Sequence, residues 1–166
     1  MDSSSLAALT AKLLLAVQAL TGYDVPAAPP DVVFLPQREL AERACGGPCK
    51  VFGWFPPGKV VYLAERLRPL DNVYTQSVLV HELVHYAQQE SGVYAGRTTC
   101  RDWRLREEEA FDAQLRWVVQ QRASVRTFHR FLPHRRSWKS ACSDGSDASD
   151  ASDAFDASDT ADGGQG

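Results

Sequence analysis

Residues Val78 to Gln88 read "VLVHELVHYAQ", an apolar run that carries two histidines and a glutamate. The run fits a long helix from about Asn72 or Thr75 to Gln89, closed by Ser91-Gly92. Val78, Leu79, Val80, Leu83, Val84 and Ala87 surround His81, Glu82 and His85 with uncharged residues. Such a helix is buried, and two histidines and a glutamate inside it are costly unless something satisfies them. The rest of the chain must therefore wrap this helix and supply that partner.

On a helix, residues four apart share one face, so His81 and His85 can turn both imidazoles toward one ion. Two neutral imidazole nitrogens suit Zn²⁺, which becomes catalytic with a third protein ligand and an open position. Glu82 is offset by about 100° from His81 and lies beside the ion rather than on it. There it can act as general base toward a water activated by the metal. An isolated H-E-x-x-H is a weak signal; the apolar setting gives this one its weight.

The third ligand must come from elsewhere. The metzincin extension is excluded, because Gln88 and Ser91 stand where that pattern requires Gly and His. His129 and His134 sit in a basic, peripheral segment. The better source is "LREEEAFDAQLRWVV" in a final helix from about Asp102 to Arg122, with an apolar stripe at Ala110, Phe111, Leu115 and Val118. Helical angles put Glu107 on that stripe, Glu108 at its margin and Glu109 toward solvent. Glu107 is the chosen ligand, and Glu108 the alternate.

Before the motif come an amphipathic helix ending near Thr21-Gly22, a short strand "DVVFLP" and a brief helix "QRELAERAC". Two β-rich runs, "KVFGWF" and "KVVYLAERL", flank Pro56-Pro57-Gly58 and read as a hairpin with a loose turn. The expected fold class is α+β: a small antiparallel sheet with a hairpin, packed on the HExxH helix and a C-terminal ligand helix.

"HELVH" followed some twenty residues later by a helical Glu resembles the gluzincin branch of zinc metallopeptidases. "HELVHYAQ" with Glu107, Glu109, Ala110, Phe111 and Gln114 is similar to compact bacterial HExxH proteins, over about Cys45 to Val119. The resemblance implies a minimal zincin-like domain, a Zn²⁺ cofactor and hydrolysis of a peptide or protein substrate that pairs with an edge strand. The hairpin is the natural supplier of that edge, with Trp54, Phe55 and Tyr62 as pocket or packing residues. Tyr74, Tyr86, Tyr94 and His129 are the candidates for oxyanion stabilisation. The gluzincin pattern often places Asp four residues after the ligand Glu, a spacing that here joins Glu108 to Asp112. The large second domain of the bigger enzymes is missing. The alternative function is a non-catalytic zinc-binding or protein-interaction module on the same fold.

A chain of 166 residues fits one domain over residues 1–142. From Ser143 a Ser-Asp-Ala repeat carries Asp at 144, 147, 150, 153, 156, 159 and 162, with no base. The expected state is a disordered solubilising tail, and a calcium-binding reading lacks the glycines and spacing of a known loop. The chain has 18 basic and 21 acidic residues, so without the seven tail acids the body is net positive. That excess falls in Arg126 to Lys139, read as a solvated segment, since no nucleic-acid motif accompanies it. The N-terminus superficially resembles an export signal, but Asp2 and Lys12 interrupt the pattern, and no transmembrane segment is expected. Cys45, Cys49 and Cys100 supply either one disulfide and a spare thiol or three buried thiols. A disulfide is favoured, which favours a periplasmic or secreted location over the cytoplasm.

Overall fold

The computed structural model describes residues 2–24 and 28–131. The expectations for the acidic tail, for His134 and for the basic segment beyond residue 131 lie outside the described residues.

The fold is built around one helix, α3 (Val73–Glu90), in which Ser77 through Gln88 are all buried. Asn72 starts it, its side chain accepting from the backbone N–H of Tyr74 and Thr75 at 3.0 Å each. Helix α1 (Ser3–Thr21) and helix α4 (Cys100–Gln120) pack along α3, with α4 making the larger contact. Thr99 caps α4 by accepting from Asp102 N–H at 3.2 Å. Ala110 and Ala113 on α4 are fully buried, and these small side chains let its backbone approach its neighbours closely. This surround explains why the motif helix is apolar on every side.

A three-stranded sheet covers the remaining flank, with β1 (Asp31–Leu35), β2 (Gly53–Trp54) and β3 (Val60–Ala64) in the order β1-β3-β2. β2 and β3 form the expected antiparallel hairpin. The mixed helix and strand content agrees with α+β, but the all-antiparallel sheet does not hold. β1 runs parallel to β3, with Asp31 opposite Val60 and Leu35 opposite Ala64. Between them lies α2 (Gln37–Cys45), which provides the length a parallel crossover needs. Gln89 fastens the hairpin turn to α3: its Nε2 donates to Gly58 O, and its Oε1 accepts from Gly58 N–H, both at 2.8 Å.

One further expectation holds in part and another is corrected. The start of the basic segment is a helix, α5 (Val125–Phe131), on which Arg126, His129 and Arg130 are exposed as expected while Phe128 is only 2% exposed. The helix buries one large aromatic ring and leaves its charged neighbours in solvent. By length and composition α1 is also apolar enough to cross a membrane, with a mean hydropathy of 1.4. In this fold, Leu13, Leu14, Val17 and Leu20 on α1 are buried in the core.

Candidate functional site

Helix α3 places His81 and His85 one turn apart, with their Nε2 atoms 3.2 Å from each other. Glu107 reaches them from α4, its Oε2 3.4 Å from His81 Nε2 and its Oε1 3.0 Å from His85 Nε2. Around a tetrahedral zinc with bonds of about 2.0–2.1 Å, ligand atoms stand about 3.3 Å apart. The two Nε2 atoms stand near that spacing, and His81, His85 and Glu107 each offer one ligand atom within 4.8 Å of the others, so the three could hold a metal ion. The ring of Phe111 lies 4.5 Å from that of His81 and limits its rotation.

Electrostatics bind the cluster in the metal-free chain. Burial opposes charge on Glu107, but His85 and His81 beside it hold its carboxyl well below the usual range. Burial likewise opposes charge on His85, yet Glu107 outweighs it and pushes the imidazole up to about 9. Burial raises the Glu82 carboxyl against the pull of His81 and His85.

Of the carboxylates weighed from the sequence, Glu107 joins the histidines and Glu108 does not. Glu108 is exposed. The Glu108–Asp112 spacing falls on the exposed side of α4, where Asp112 pairs with Arg116 at 2.9 Å. Glu109 is not turned to solvent as the helical angles imply. Its carboxylate accepts from Gln88 Nε2 at 2.8 Å and from the Tyr23 hydroxyl at 2.7 Å. Helix α4 contacts both α3 and α1, so its covered arc is wider than the one apolar stripe and takes in Glu109.

Gln88, given no role beyond excluding the metzincin pattern, and Tyr23, not singled out from the sequence, complete a chain of contacts behind His85. Gln88 Nε2 donates to Arg106 O at 3.0 Å as well as to Glu109, which turns its Oε1 toward His85 Nδ1 at 2.9 Å. Nδ1 must then carry the hydrogen, and a neutral His85 ring turns its Nε2 lone pair toward His81 and Glu107, where a metal ion could be held. Burial and Glu109 raise the Tyr23 phenol, so it stays a donor. The i, i+3 spacing of His85 and Gln88 is a signal that could have found Gln88. Tyr23 had none.

Glu82 is 6% exposed and lies against β2. A Cβ on residue 53 would stand 2.6 Å from Glu82 Oε1, 2.8 Å from Cγ and 2.9 Å from Cδ, so only glycine fits there. His81, Glu82, His85 and Glu107 all open on one cleft of about 560 Å³. Trp54 and Phe55 line it too; Tyr62 does not, and stacks on Trp54 at 5.5 Å.

None of the four oxyanion candidates is among the residues that line the cleft. The Tyr86 hydroxyl donates to Ala28 O and that of Tyr74 to Ser124 O. Tyr94 lies under Arg97, and His129 stands against Phe128. Cys45 and Cys49 form a disulfide at one edge of the cleft. Cys100 is also disulfide-bonded, so neither the spare thiol nor the three buried thiols holds.

No family model matches the chain, and neither the curated proteins nor the solved structures include a significant match.

Proposed function

We propose that the chain is a zinc-dependent metallopeptidase of the gluzincin kind, on a minimal zincin-like domain. One observation carries the reading: three ligand atoms within 4.8 Å of one another share a cleft with a buried carboxylate that is not one of them. His81, His85 and Glu107 would hold the ion, which when bound supplies Lewis acidity toward a water and a substrate carbonyl. Glu82, on the cleft side of α3, takes the proton from the attacking water and hands it to the leaving amine. Its raised affinity for protons suits both halves of that task. Gln88 and Glu109 fix the ring orientation of His85 from behind.

β2 lies at the edge of the sheet beside Glu82. An extended peptide would pair with that edge by strand addition, its side chains meeting Trp54 and Phe55. The Cys45–Cys49 disulfide supports a periplasmic or secreted location.

The experiment is metal analysis and peptide hydrolysis by the chain purified without chelators, with His85→Ala and Glu82→Gln beside it. We expect one zinc per chain, lost in His85→Ala and retained in Glu82→Gln, and hydrolysis absent from both variants. Zinc without hydrolysis in the wild type favours the non-catalytic module. No zinc after reconstitution rejects both.

A further inference from the structure

Arg106 stands one residue before Glu107 on α4 and lines the same cleft, and Lys50 lines it as well. Arg106 Nε is buried and has no hydrogen-bond partner. Its guanidinium carbon lies 5.9 Å from the centre of the Tyr94 ring. Among the described residues neither Arg106 nor Lys50 takes part in an ion pair. The two carboxylates that line the cleft are otherwise engaged. Glu107 is held by the histidines, and Glu82 is pressed against Gly53.

Arg106 lines the cleft without an ion-pair partner, and its guanidinium offers a planar fork of Nη hydrogens that matches a carboxylate. Phe52, Trp54, Phe55 and Phe111 line the same cleft. An aromatic cleft with a half-buried guanidinium that has no ion-pair partner and one exposed lysine is suited to a ligand that is apolar along its length and anionic at one point. Lys50, being exposed, adds attraction at longer range and little to the bound state.

We propose that Arg106 selects peptides bearing a carboxylate, pairing with an acidic side chain or with a free C-terminus held in the cleft. This rests on the metallopeptidase reading of the same site and names its substrate class. Charge-assisted hydrogen bonds of this kind discriminate by about tenfold to a hundredfold.

The test uses the full zinc-loaded chain with Glu82→Gln, so that peptides bind without turnover, and fluorescence anisotropy of four labelled hexapeptides. One carries a central Asp and an amidated C-terminus. The second carries Asn and a free C-terminal carboxylate, the third Asn and an amide, and the fourth Lys and an amide. We expect one of the two carboxylate peptides to bind at least about tenfold tighter than the neutral one, and which of them does identifies the source. Arg106→Gln should bring that ratio to about one, and Arg106→Glu should shift the preference to the Lys peptide. Melting curves establish that the variants fold, and Arg106→Lys, which keeps charge but not the fork, should retain part of the ratio. Equal binding of all four peptides overturns the proposal. So does an advantage that survives Arg106→Gln, since the metal would then be its source. If the wild type hydrolyses nothing while the Arg106-dependent preference persists, the peptidase reading fails and the carboxylate site stands.

Discussion

Gly53→Ala tests the link between the sheet and the motif helix. The added methyl would lie 2.6 Å from Glu82 Oε1 and within 2.9 Å of Cγ and Cδ. Ordinary contact at such atoms is about 3.5 Å, so roughly 0.8 Å must be found by swinging Glu82 or moving β2. β2 is not free to move: Gly53 and Trp54 pair with Leu63 and Tyr62, and Ala64 N–H donates to Phe52 O at 2.8 Å. Nor can the carboxylate tip alone give way, because Cγ and Cδ also clash. Overpacking of this kind costs about 1–3 kcal/mol, or roughly 4–12 °C in melting temperature for a domain of this size. With Glu82 in the proposed role of general base, a misplacement near 1 Å should lower the rate by about a hundredfold. Zinc content should not change, since residue 53 is not part of the ligand cluster. The assay is hydrolysis of a quenched fluorescent peptide, with metal analysis and thermal melting on the same samples. Gly47→Ala is the control, because a Cβ there meets nothing within 4 Å. Activity within threefold of wild type and an unchanged melting temperature would refute the close approach.

Three further outcomes are expected. Zinc affinity should fall most in Glu107→Ala, about tenfold to a hundredfold in Glu109→Ala through loss of the Gln88 contact, and little in Glu108→Ala; competition with a chelating dye measures all three, and an unaffected Glu109→Ala would sink the positioning role. His85 has its imidazole raised to about 9, so near pH 7.5 the metal-free ring is protonated and zinc binding should release about one proton. Calorimetry in two buffers of different ionisation enthalpy counts it, and no release would contradict the assignment. The sign for folding follows: the His85–Glu107 pair stabilises the metal-free chain fully below the unfolded imidazole pKa of about 6.5, and that contribution is lost as pH rises through about 9. Replacing Cys45 and Cys49 together by Ala opens a short loop and should cost about 2 kcal/mol with zinc content unchanged. An unchanged melting curve would mean that other contacts hold this edge of the cleft.

Much of the site was legible without coordinates because it is local. His81, Glu82 and His85 lie within two turns of one helix, where a repeat of 3.6 residues sets which side chains share a face. The capping residues and turn prolines likewise act within a few positions, and α2 and α3 lie close to where the sequence puts them. Glu107 was reachable because its stripe packs on the motif helix. The rest depends on which elements meet. Whether β1 pairs parallel or antiparallel is decided by the path of α2 between the strands, and no residue in "DVVFL" encodes it. Glu109 lies behind His85 rather than in water only because α1 ends beside α4 and brings Tyr23 to it. Gly53 has no flanking pattern that marks it, and it is required by a carboxylate 29 residues away in the chain that the tertiary fold presses against it. Local periodicity determines the face a side chain occupies; what covers that face is a property of long-range packing, and at this site it decides which residues hold the ligands in place.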